Sequence, residues 1–172
     1  MEAPVSRGPM KSLMTWLESE GIDHEVHEHD RSLTAVATAR AEGVDPHTFE
    51  KVVWVRSAQG GDALIVLDAD SHLDLGKARE VLRSGRVRLV PEEELRTLAP
   101  DCDPGAMPAV GKLFGVPTFA DLHVCDSAEV SFNAGTHTVA VRVDRAAWEK
   151  ALGVVYADLA ATPWREPEWH RS

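Results

Sequence analysis

Three histidines form H-x-x-H-x-H at His24, His27 and His29, with Glu25, Glu28 and Asp30 among them. That density of imidazole and carboxylate invites a zinc reading. On a strand, however, His27 and His29 share a face and His24 points away. Two ligands remain where zinc takes three or four, so an exposed polar strand is the better reading. Asp68, Asp70 and Asp74 begin like a calcium loop, but the sixth position is Leu73 and the twelfth is Arg79. Glycine and glutamate at those positions shape the turn and close the shell, so calcium is excluded. Cys102 or Cys125 with His123 or His137 would make a thiol nucleophile, but no spacing brings them together.

Lys51 opens the most apolar strand of the chain, ahead of Val52-Val53-Trp54-Val55. An amine there must reach water or meet an anion, and water is the usual outcome at a strand end. Two loops are the other candidates, residues 104–108 and 133–138. Glycine at Gly105 and Gly135 lets a ligand approach bare backbone, whose amides can donate to an oxyanion or phosphate. Asn133, Thr136, His137 and Thr138 add side-chain donors and acceptors. A plain hairpin turn also favours Asn and Gly, but it does not require Thr-His-Thr at its exit.

The elements that must position these groups follow from periodicity. KSLMTWLESEG reads as an amphipathic helix and HEVHE as a short strand. Thr34 can cap a helix TAVATARAEG, followed by a loop VDPHTF. KVVWVRS and ALIVLDA are strands apolar at successive positions, so both faces are covered. LDLGKAREVLRSG, capped by Asp74, is a helix, VRLV a short strand, and Pro91 starts a helix through EEELRTLA. Residues 100–117 hold four prolines and three glycines, which excludes a regular element. They also hold Met107, Val110, Leu113 and Phe114, so the segment reads as an ordered, packed loop. PTFADL, AEVSFN and HTVAVRVD are strands, with a turn at Asn133-Ala134-Gly135, and RAAWEKALG closes the fold as a helix. The expected architecture is one α/β domain of mixed α+β type, with a mixed, largely antiparallel sheet and flanking helices. Residues 1–8 read as a flexible leader, 9–153 as the domain and 154–172 as a mobile extension.

Bulk properties bound the partners. The chain has 172 residues, 18 basic against 28 acidic, a net charge of −10. A protein coating duplex nucleic acid would be basic, so DNA is excluded and any nucleic-acid contact is local. Residues 76–88 are the exception, with Lys77, Arg79, Arg83, Arg86 and Arg88 against Glu80. They form either a solvated helix face or a phosphate-facing patch. The longest apolar runs are too short for a bilayer, and the N-terminus has no apolar secretory core. Two cysteines without C-x-x-C spacing fit reduced thiols in a cytoplasmic protein.

Three motifs in order carry a resemblance: Phe49-x-Lys51-Val-Val-Trp-Val-Arg56, Asp103-Pro-Gly-Ala-Met-Pro-Ala-Val-Gly-Lys-Leu-Phe-Gly-Val-Pro117, and Phe132-Asn-Ala-Gly-Thr-His-Thr138. Together they resemble the YbaK family, the aminoacyl-tRNA editing domain also inserted in bacterial prolyl-tRNA synthetases. The resemblance runs from about Leu13 to about Leu152. It implies a sheet curled around a pocket and hydrolysis of the ester between a wrong amino acid and a tRNA 3′ end, without metal or other cofactor. It implies that Lys51 supports the terminal adenosine and its phosphate, and that Gly105 to Pro108 supply backbone near the ester. It further implies that Ala134 and Gly135, with Thr136 to Thr138, line the pocket, where Asn133 or His137 would position the amino acid. Family members often show G-x-x-x-P in the first loop; here Pro104 takes the glycine position and Gly105 makes G-x-x-P. Proline has no N–H, so Gly105 becomes the candidate donor. The partners implied are a tRNA 3′ aminoacyl end and an aminoacyl-tRNA synthetase that delivers it. The competing reading is a binding module that holds a nucleotide or charged 3′ end without cleaving it.

Overall fold

The computed structural model describes residues 8–29, 49–59 and 61–162. The helix expected at 34–43 and most of the loop after it lie outside these residues, as do residues 1–7 and 163–172.

Helix α1 (Lys11–Ser19) buries Leu13 and Leu17 completely, four apart on one stripe. Each such side chain contributes about 1.5–3 kcal/mol by leaving water. Strand β1 (His24–Glu28) follows, then the long hairpin β2 (Glu50–Ser57) and β3 (Gly61–Asp68). Asp74 caps α2 (Leu75–Val81) by accepting the Lys77 amide at 3.1 Å, as its position predicts. Strand β4 (Val87–Leu89) and α3 (Glu92–Leu98) lead into the proline-rich segment. That segment is ordered and buried from Ala106 to Gly111. It does contain one regular turn, a 3-10 helix at Gly111–Phe114, which stops at Gly115. After β5 (Thr118–Asp121) come a second 3-10 helix (Leu122–Asp126), β6 (Glu129–Thr136), β7 (Val139–Asp144), α4 (Arg145–Leu152) and β8 (Val155–Ala157).

Two sheets result, and they are not closed into a barrel. One has the order β1-β7-β6 and is antiparallel; the other has the order β4-β2-β3-β5-β8. In the second, β3–β5 and β5–β8 are parallel and the remaining pairs antiparallel, so the sheet is mixed. A parallel bridge between Phe49 and Ser131 joins the sheets. Leu13, Leu17, Val66, Phe132, Val141 and Trp148 form the main core, and the Trp148 indole donates to the Ala109 carbonyl at 2.7 Å. A second core under α2 uses the other face of β2 and β3, through Val55, Ile65 and Leu67.

Two boundaries differ from expectation. The sheet runs past residue 153: β8 pairs with β5, and Leu159 and Ala160 are wholly buried. Asp121 draws that segment in, accepting the amides of Leu159 and Ala160 at 2.9 and 2.8 Å. Strand β6 also runs past Asn133, with a register shift between Asn133 and Thr136, and the turn falls at His137 and Thr138. Between these residues the backbone of Gly135 finds partners in another loop, and the ladder with β7 resumes at Thr136 opposite Val139.

Candidate functional site

The two candidate loops are laced together. Asp103 donates its amide to the Gly135 carbonyl at 2.8 Å, and Gly135 donates its own to the Ala106 carbonyl at 2.9 Å. His137 donates from Nε2 to the Pro104 carbonyl at 3.0 Å. A carbonyl only accepts, so this bond puts a ring proton on Nε2. Met10 seals the other side, its amide on the Ala134 carbonyl at 2.9 Å.

Glycine is required at both crossing points. Gly105 has φ +84°, and a Cβ there would lie 3.6 Å from His137 Cε1, an ordinary contact. Gly135 has φ +92°, and its Cβ would lie 3.0 Å from that of Met10. Backbone conformation alone selects glycine at the first position; conformation and space select it at the second.

This geometry redistributes the expected roles. The Gly135 amide is already spent on Ala106, so it is no free oxyanion donor. The Gly105 amide donates to nothing among the described residues, and Gly105 is exposed. Ala134 turns its methyl into the main core. Thr136 and Thr138 bond to each other through their hydroxyls at 3.1 Å. Pro108 is buried, and its carbonyl accepts the Val110 amide at 2.8 Å. Asn133 is 7% exposed, and its buried side-chain oxygen has no hydrogen-bond partner among the described residues.

Lys51 is half-buried on β2, opposite Leu67. Burial holds its ammonium below the usual pKa range, and the charge of Asp70 works against that. Lys51 and Asn133 each lie two residues beyond the Phe49–Ser131 bridge. Parallel chains present alternate residues on one side, so both project to the same face.

Sequence reasoning missed Glu50 and Asp121. Glu50 is 1% exposed and faces Asp68 across the hairpin. Burial, then the charge of Asp68, pushes its carboxyl well above the ordinary range. Burial would likewise raise Asp121, but the Leu159 amide, the His123 ring and amide, and the Ala160 amide together hold it below. Neither acid has a telling neighbour in sequence; strand register alone pairs the first, and chain return alone satisfies the second.

The remaining candidates do not assemble. His24 Nδ1 meets the Ile22 carbonyl at 2.8 Å and His27 meets Glu25 at 3.3 Å. Among the described residues no three His, Cys, Asp or Glu side chains are grouped to hold a metal. Burial pushes the Cys102 thiol up to about 12, and the thiol donates to the Met10 sulfur. Burial also raises Cys125. Neither is a ready thiolate.

The basic run forms a concave surface at the far end of β2. One groove of about 570 Å³ is lined by Arg56, Arg79, Arg86 and Arg88. An adjoining recess of about 610 Å³ includes Lys77, Arg79 and Arg83. Arg56 is held by Asp62 and Glu94, and Arg88 by Glu94. Arg79, Arg83 and Arg86 have no ion pair among the described residues.

A mixed α/β domain with two laced glycine loops and a strand-end lysine defines a class, and comparison with known proteins identifies it. Residues 29–151 match the aminoacyl-tRNA editing domain, and the chain belongs to that family. A proposed trans-editing enzyme for prolyl tRNA synthetase superposes with a TM-score of 0.78 at 26% identity, covering 91% of this chain and 100% of the other. The hypothetical protein APE2540 superposes at 0.80 with 20% identity, covering 87% and 99%. A scaffold used in computational epitope backbone grafting superposes at 0.77 with 22% identity, covering 89% and 97%. The last two share the fold. No curated protein matches the chain. No helix among the described residues is long and apolar enough to cross a membrane.

Proposed function

We propose that the protein is a trans-acting deacylase of mischarged tRNA, working in the cytoplasm without a metal. The observation that carries this reading is the Gly105 amide, without a partner among the described residues and held in a left-handed conformation beside His137, in a chain of the editing family. An aminoacyl ester is already activated, so the protein must hold it, place one water and stabilise the oxyanion. Water adds to the ester carbonyl, and the Gly105 N–H faces the oxygen that gains charge. The bond to the ribose oxygen then breaks, that oxygen takes the proton from water, and free amino acid and tRNA leave. Lys51 binds the phosphate of the terminal adenosine. Its ammonium is desolvated, which strengthens attraction to an anion.

The arginine groove supports tRNA rather than a small ester as substrate. Lys51 and Ser57 stand roughly 20 Å apart along β2 at about 3.3 Å per residue. A strand that follows β2 away from Lys51 would bring phosphates beyond its terminal CCA to Arg79, Arg83 and Arg86. A net charge of −10 confines the contact to this track. The likeness to a proposed trans-editing enzyme for prolyl tRNA synthetase supports proline tRNA as the first to try, and a synthetase as partner.

One observation favours a second reading, a module that binds the charged end without cleaving it: Gly135 has spent its amide, which leaves fewer oxyanion donors. Deacylation of Ala-, Cys- and Ser-tRNA on a noncognate tRNA such as that for proline separates the two. Hydrolysis that disappears in Lys51→Ala establishes the deacylase; binding without turnover establishes the module.

A further inference from the structure

The side-chain oxygen of Asn133 is buried with no hydrogen-bond partner among the described residues, a costly state in a folded protein. Among the described residues no group donates to it. Ala140, directly opposite on β7, carries only a methyl. Ser131, on the same face, accepts from the Arg142 guanidinium at 3.4 Å and does not donate to Asn133. The amides of Met10 and Gly135 are committed to the Ala134 and Ala106 carbonyls. The face is the one that also carries Lys51. An acceptor left unsatisfied beside a phosphate-binding lysine is matched by a ligand that brings its own N–H. The terminal amide torsion is soft, so a small turn presents the oxygen to that donor.

We infer that Asn133 reads the free α-amine of the amino acid esterified to the tRNA. This rests on the deacylase reading and adds a substrate rule to it. A free amine offers two or three N–H donors, and its charged form makes the stronger bond. A pocket built around a buried acceptor rejects a ligand that leaves the acceptor empty. Aminoacyl esters are accepted, and esters whose amine is blocked or missing, such as peptidyl esters, are spared.

The test uses two amide-linked adenosines that cannot be hydrolysed. 3′-Amino-3′-deoxyadenosine carries either an alanyl group or an isobutyryl group, in which a methyl replaces the amine. Calorimetry on the full chain is expected to show the alanyl compound binding about ten- to a hundredfold tighter. Asn133→Ala should erase that preference. Asn133→Asp, which keeps an acceptor oxygen, should retain it, and this separates reading of the amine from a merely structural role. Equal binding of both compounds by wild type, binding of neither, or a preference that survives in Asn133→Ala overturns the inference. Deacylation of alanyl-tRNA is measured separately. A protein that prefers the alanyl compound but cleaves no charged tRNA would keep the Asn133 assignment and lose the deacylase reading.

Discussion

Glu50 and Asp68 face each other across the β2–β3 hairpin with both side chains buried. The folded chain raises the Glu50 carboxyl above its unfolded value, so folding favours its protonated form. The stability this contributes is complete below the unfolded value and is lost as pH climbs through the raised one. Glu50→Gln mimics the protonated acid and can donate to Asp68. Its melting temperature should match wild type near pH 5 and exceed it by a few degrees at pH 8 to 9. Parallel melting curves from pH 5 to 9 would show that Glu50 titrates normally.

The two loop glycines should respond differently to alanine. Gly105→Ala meets only backbone strain, about 1–2 kcal/mol for a left-handed residue. Gly135→Ala meets the same strain and also presses on Met10 at 3.0 Å. Denaturant midpoints should therefore fall in the order wild type, Gly105→Ala, Gly135→Ala. A larger loss at Gly105 would contradict the packing described for Met10.

Asp70 opposes the effect of burial on Lys51. Removing that charge with Asp70→Asn should lower the Lys51 value further. If the ammonium binds phosphate, activity depends on it below that value and fails above it. The alkaline limb of the kcat/KM profile should then move to lower pH in Asp70→Asn, with the acid limb unchanged. An unmoved alkaline limb would disconnect Asp70 from Lys51.

The arginines without an ion pair among the described residues predict a dependence on salt and length. Replacing Arg79, Arg83 and Arg86 with serine should raise KM for a full charged tRNA and flatten its salt dependence. The log–log slope should drop by about 0.7–0.9 for each phosphate no longer neutralised. A short aminoacylated CCA fragment should be cleaved as by wild type, since it ends before the groove. Equal losses on both substrates would mean that the arginines serve the fold.

Much of the frame was legible because local chemistry and tertiary need agreed. Leu13 and Leu17 at helical spacing, Asp74 before α2, and two continuous apolar runs at β2 and β3 each specify an element by short-range rules, and each was found. The same local rules misjudged the end of β6. Asn-Ala-Gly favours a turn, yet Gly135 bonds to residues 103 and 106, and the strand continues to Thr136. Residues 154–172 read as a mobile extension, yet buried amides at Leu159 and Ala160 found the Asp121 carboxylate.

The order of its motifs by itself determined the family of this protein, its mixed α/β class and the two glycine loops as candidates, because these depend on residue type and spacing. Only the tertiary structure decided which groups are available for chemistry. It spent the Gly135 amide, left that of Gly105 without a partner among the described residues, held His137 Nε2 on the Pro104 carbonyl and set Lys51 and Asn133 on one face. Those outcomes depend on hydrogen bonds between segments some thirty to eighty residues apart, and on strand register, where a shift of one residue turns a side chain to the opposite face.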